Sequence, residues 1–111
     1  MISFPHQIEI QAPTVTRTAT GRSVSYATTE TRRARVTLHS LEGQARLQQV
    51  VGERITHRVE FRGRVSVPTN HRLYWVDEGM YLMPVGPAAP IGQRFTHLQA
   101  REIRDDATEE T

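Results

Sequence analysis

Cysteine is absent from the chain, which removes disulfides, thiolate zinc sites and cysteine nucleophiles together. Lysine is absent as well, so every one of the 14 basic residues is an arginine. No run of about 18 apolar residues is present to span a membrane. The opening Met1-Ile2-Ser3-Phe4-Pro5-His6 lacks the basic and apolar regions of a signal peptide, and with no cysteine the pattern suits a product made in the cytoplasm. Aromatic side chains are few: one Trp, three Tyr and three Phe.

What is present fits a single domain, since 111 residues leave no room for two independent cores. The charge is unevenly placed. Residues 1–104 carry 14 Arg against 8 acids, and the last seven residues, Asp105 to Thr111, carry four acids and no base. The expected organisation is a basic body over 1–104 followed by an acidic tail over 105–111. A basic body with an acidic end suits either nucleic-acid contact or charge-complementary docking between subunits. Guanidinium groups tolerate interfaces better than ammonium groups do.

Hydrophobic periodicity reads mainly as β. Ile8, Ile10 and Ala12 alternate with Gln7, Glu9 and Gln11, a half-buried strand that Pro13 is expected to close. Thr14 to Ser25 offers almost nothing to bury and reads as a long exposed loop or β-arm. Alternation returns over Thr31–Leu38, with Ala34, Val36 and Leu38 opposite Arg33, Arg35 and Thr37. At Ser40 the period changes to that of a helix: Ser40 is a good N-cap, Leu41, Ala45 and Leu47 to Val51 form an apolar stripe, and Gly52 is placed to end it. So short a helix is expected to dock on the sheet or on a partner. The clearest signal is Glu53–Arg62, where Ile55, His57, Val59 and Phe61 share one face and Arg54, Thr56, Arg58, Glu60 and Arg62 the other. Val65 to Asn70 reads as a connection. Arg72–Val76 and Met80–Val85 read as a hairpin over Asp77-Glu78-Gly79. Pro84, Gly86, Pro87, Pro90 and Gly92 read as a rigid loop, and the last strand is expected over Arg94–Ile103. The expected fold is a mainly-β small six-stranded barrel or sandwich with one short lateral helix and long loops.

Catalytic chemistry finds no foothold in the residues. The five histidines, His6, His39, His57, His71 and His97, have no HxxxH or HxH spacing, and no GxSxG, P-loop or GxGxxG occurs. Paired carboxylates fall only at Asp77-Glu78 in a turn and Asp105-Asp106 in the tail, settings unsuited to a tuned acid–base pair. The expectation is a structural protein rather than an enzyme, with no catalytic residue, no cofactor and no metal. The arginines carry the functional signal: Arg54, Arg58 and Arg62 recur along one strand face, and Arg32, Arg33 and Arg35 crowd another. One reading is a solvated face that blocks edge-to-edge aggregation; the other is an uncompensated basic interface towards acidic neighbours or nucleic acid. A single-strand platform would interleave aromatics with the arginines, whereas Tyr74, Trp75 and Tyr81 gather in a separate hairpin.

The order of elements resembles the head–tail joining (head closure, or stopper) family of tailed bacteriophages. The opening strand Ile8-Glu9-Ile10-Gln11-Ala12-Pro13 is similar to that family's short first strand and proline-marked loop. Arg35 to Gly43 looks like its strand leading into a Ser/Leu-x-Gly helix start, and Thr56-His57-Arg58-Val59-Glu60-Phe61-Arg62 like its Thr-His-x-Val strand. Arg72-Leu73-Tyr74 and Gly79-Met80-Tyr81-Leu82 match the strands that follow. Where many members carry a tryptophan before the second strand, this chain has Tyr26 and a Thr-rich run. The resemblance implies a small β-barrel with a lateral helix, assembled as a twelve-fold homo-oligomeric ring in the virion neck. There it would lie beneath the portal and adaptor and above a tail terminator or tail tube, with packaged DNA in the channel and no membrane. Arg33, Arg35, Arg54, Arg58 and Arg62 are the expected interface residues. Arg17 and Arg22, in the Thr14–Ser25 segment, are the expected contacts to a neighbouring ring or the channel. The alternatives are an OB-like nucleic-acid-binding module, or another ring of the same neck such as an adaptor or tail terminator.

Overall fold

The computed structural model describes residues 3–68 and 70–103, so the acidic stretch from Asp105 to Thr111 lies outside the described residues. Alternating strands with one wet face must close on themselves or be covered, and here they close. In chain order the elements are β1 (His6–Thr18), β2 (Gly21–Leu38), α1 (Leu41–Val51), β3 (His57–Arg62), β4 (Arg72–Trp75), β5 (Met80–Ile91) and β6 (Phe95–Ile103). All pairings are antiparallel, and the order β1-β2-β3-β6-β5-β4 forms a barrel because β4 returns to β1. Of the two expected architectures, the barrel is the fold.

The inward positions are those that the alternation marks. Ile8 and Ile10 of β1, Ala34 and Val36 of β2, Val59 and Phe61 of β3, Leu73 of β4, Leu82 of β5 and Leu98 and Ala100 of β6 form one buried cluster. Cross-strand register stacks them, with Val36 opposite Val59, Val59 opposite Leu98 and Leu73 opposite Leu82. Each large member stabilises the fold by roughly 1.5–3 kcal/mol through burial. The connection after β3 also contributes, because Val65 and Val67 are buried and Thr96 ties it to β6. The Thr96 hydroxyl donates to the Gly63 carbonyl at 2.8 Å and accepts from the Val65 amide at 3.1 Å.

One segment expected as a loop, and one expected as a loop or β-arm, are strands. β1 does not stop at Pro13; it runs to Thr18 and returns directly as β2 through Ala19-Thr20, so Thr14–Ser25 is the β-arm of the two options. Proline is tolerated because beyond Gln11 that edge of β1 pairs with no other strand among the described residues, and a missing N–H costs little there. Likewise Pro84, Pro87 and Pro90 lie within β5, whose pairing with β6 slips between Val85 and Ala89 at a bulge. The β4–β5 hairpin turns over Val76–Gly79, with Gly79 at φ 62° as its position requires.

The helix forms where expected and for the expected reasons. The Ser40 hydroxyl accepts from the Gly43 amide at 3.0 Å, and Gly52 closes the last turn at φ 85°, donating its N–H to Gln48. A Cβ at Gly43 would stand 3.2 Å from the Ser40 hydroxyl, so the glycine that weakens helix propensity also leaves room for the cap. Of the two supports expected for it, the sheet is not one. No residue of α1 is buried, and Leu41 and Val50 are 84 % and 81 % exposed. The stripe does not dock on the sheet because Leu41 and Val50 lie on opposite sides of an ideal helix, nine residues apart at 100° per residue.

Candidate functional site

Three surfaces lie outside the core: the outer arginine face, the arm and the helix. On the outer face, register brings β2, β3 and β6 together. Arg35 lies opposite Glu60, which lies opposite His97; Thr37 lies opposite Arg58, which lies opposite Gln99; and Arg62 lies opposite Phe95. Arg33, Arg35, Arg58 and Arg62 therefore share one face. Arg54 does not join them, because β3 starts at His57 and Arg54 sits in the exposed segment before it. Thr56, expected outside, is buried.

The face is also not an uncompensated basic row. Glu60 accepts from the Arg35 guanidinium at 2.6 Å, and Arg58 Nη2 approaches its other oxygen at 3.7 Å. Arg58 is only partly satisfied, since its Nε is buried with no hydrogen-bond partner among the described residues. Arg33 and Arg62 are exposed, as is the Glu60-paired Arg35. Arg32, on the other side of β2, pairs with Glu30. Exposed pairs of this kind contribute on the order of 0–1 kcal/mol, so their value here is to fix where charge points.

The arm is built from the far half of the β1–β2 hairpin. From Pro13↔Tyr26 to Thr18↔Gly21 the two strands pair, among the described residues, only with each other. The ladder slips between Ile10 and Gln11, where the Thr29 hydroxyl donates to the Ile10 carbonyl at 3.1 Å; a bulge of this kind bends and twists the ribbon where it leaves the barrel. Arg17 and Arg22 face each other near the tip, and both are exposed.

The arm's base is held by a residue that the sequence reading passed over. Arg72 is buried; its Nε donates to Gln11 Oε1 at 2.6 Å, and its guanidinium carbon stands 4.1 Å from the Tyr26 ring centre and 4.0 Å from that of Tyr81. Four strands meet through this one cation: β1, β2, β4 and β5. Tyr74 packs on Tyr81 at 4.8 Å, which completes the aromatic group. The only local signal was Arg72 ahead of Leu73-Tyr74; the partners are distant in sequence.

The helix is held at its start rather than along its length. The His39 amide donates to Thr56 O at 2.9 Å, Gln44 Nε2 donates to His39 O at 3.0 Å, and the His39 ring meets Gln99 Oε1 at 2.8 Å. Leu38, just before it, is 65 % exposed. Elsewhere, Val65, Val67, Pro87, Ala88 and Pro90 line an open, mainly apolar groove of about 480 Å³.

The histidines do not converge. His57 faces inward opposite Ala100, whereas His97 faces outward opposite Glu60. His6 and His57 both meet the Trp75 ring edge-on, at 4.9 and 6.1 Å, and Thr56 Oγ1 lies 2.8 Å from His57 Nδ1. Burial holds the His57 pKa below its ordinary value, with Glu102 opposing the shift and His39 reinforcing it. Among the described residues no three of His, Asp or Glu gather as metal ligands. No helix among them is long and apolar enough to cross a membrane.

No family model and no curated protein matches the chain. Among solved structures it is similar to the solution structure of protein SF1141 from Shigella flexneri 2a. The TM-score is 0.69 at 21 % identity, over 92 % of this chain and 95 % of that one. At that identity the likeness bears on the barrel fold alone.

Proposed function

We propose that the chain is a structural subunit of a tailed-phage neck. In this reading copies form a ring of twelve beneath the portal and adaptor, close the DNA-filled head and offer the surface to which the tail attaches. The observation that carries the reading is the helix: 11 residues, capped at both ends, with no side chain buried in its own chain. A helix of that length is marginal in water unless it packs on something, so a neighbour is its natural support. The arm and the outer face fit the same logic, since an arm paired only with itself and exposed Arg33 and Arg62 gain their use against other molecules. A ring closes through heterologous contacts, in which one patch of each copy meets a different patch of the next. The order of sequence elements, from Ile8-Glu9-Ile10 to Gly79-Met80-Tyr81, supplies the neck as the setting.

The OB-like alternative has less support, because Glu60 sits at the centre of the arginine face. The test is tail joining to tailless, DNA-filled heads by the purified chain. Leu41→Asp with Val50→Asp is expected to leave the barrel's melting temperature unchanged and to abolish joining; Arg62→Glu is expected to weaken it. A folded double variant that joins tails as well as wild type would overturn the role assigned to the helix.

A further inference from the structure

We infer that the arm is a β-ribbon that binds the phosphate backbone of duplex DNA. The inference deepens the neck reading, on which it rests for the setting, by naming what the arm meets. Register gives the ribbon two distinct faces. Thr14, Ser25, Thr16 and Ser23 are cross-strand pairs on one side, a surface of hydroxyls; Val15, Val24, Arg17 and Arg22 pair on the other. Hydroxyls, guanidinium groups and backbone N–H groups are the donors that proteins present to phosphate oxygens. From residue 10 to residue 29 the sequence contains no acid at all.

Shape agrees with charge. A two-stranded ribbon fits the major groove of B-form DNA, about 12 Å wide. Six residues from Pro13 to Thr18 reach about 20 Å at roughly 3.3 Å each. Arg17 and Arg22 lie directly opposite each other, so the ribbon carries two guanidinium groups at one level near its tip. A second copy's arm carries the same pair and would add repulsion, which argues against strand exchange between arms.

The test is fluorescence anisotropy of the full chain with a fluorescein-labelled DNA duplex, titrated with salt. Each phosphate neutralised steepens the fall of log affinity with log salt by about 0.9. Arg17→Ala with Arg22→Ala should therefore flatten the slope by about 2, so that between about 50 and about 200 mM salt wild type loses roughly tenfold more affinity than the variant. Arg17→Lys with Arg22→Lys should keep the slope, and both variants should melt like wild type, since neither side chain is in the core. No anisotropy change at low salt, or equal slopes for the alanine variant and wild type, would overturn the inference. So would self-association of the chain that the alanine variant abolishes, which would make the arm's partner a second copy. The measurement needs only chain and DNA, so its failure and a failure of tail joining are separate results.

Discussion

Replacing Arg72 by methionine tests whether one buried cation holds the arm to the barrel. Methionine keeps most of the apolar stem and removes the guanidinium. The loss has two parts. Gln11 is itself buried, and its Oε1 would lose a charged donor at 2.6 Å, which costs about 1–3 kcal/mol. Stacking on Tyr26 and Tyr81, both half-buried, adds about 0.5–1 kcal/mol for each ring. Part is offset because methionine does not have to be stripped of ionic hydration, leaving a net loss of about 2–4 kcal/mol. For a domain of this size that lowers the melting temperature by roughly 10–20 °C. Urea unfolding should show the midpoint fall with the slope unchanged. Native-state hydrogen exchange should show the amides of Thr16 and Ser23 losing protection before those of Val59 and Leu98, because a two-stranded ribbon is marginal by itself. Arg72→Met and Tyr26→Leu should also be non-additive, since they share a contact. A loss below about 1 kcal/mol, or strict additivity of the pair, would refute the clamp.

Other expectations follow from the same structure. Phe61 is fully buried between β2 and β6, so Phe61→Ala should cost about 3–5 kcal/mol by chemical denaturation, and a loss under about 1 kcal/mol would displace it from the core. Ser40→Ala removes the N-cap of a helix with little other support. It should cost about 1 kcal/mol of local helix stability, read by exchange of the Gly43 and Gln44 amides. His57 has a folded pKa held below its unfolded value of 6.5, so the unfolded chain binds the proton more readily. Its contribution is then fully present above pH 6.5 and is lost as pH falls from there towards the lowered folded pKa. His57→Gln should flatten that limb of the stability profile, and an unchanged limb would remove His57 as its cause.

The barrel was legible wherever one strand face is apolar, because an interior and a solvent on opposite sides of a strand impose period two. Val59 and Phe61, Ala34 and Val36, and Ile8 and Ile10 all point inward as that period requires. Ser40 and Gly52 marked the helix ends because capping is local chemistry. The arm was legible only as one of two options, loop or β-arm, because neither of its faces is buried and Thr14 to Ser25 carries no alternation to decide between them. The prolines of β5 misled for a related reason: they sit at an edge and a bulge, where a missing N–H is tolerated. Whether the helix docks on the sheet or on a partner was not legible, because an apolar count says nothing of direction, and Leu41 and Val50 point apart. The Glu60 that neutralises Arg35 and Arg58 was visible in the period-two pattern, two residues from Arg58 and from Arg62. Arg72 was not visible as a clamp, since Gln11, Tyr26 and Tyr81 come to it from three other strands.

The central claim is that this chain forms part of a phage neck, and electron microscopy of tailless, DNA-filled heads incubated with the purified chain tests it most directly. The account predicts added twelve-fold density beneath the portal and adaptor, with α1 of each copy against its neighbour. Heads whose portal vertex is unchanged by saturating chain, and which still fail to accept tails, would contradict it.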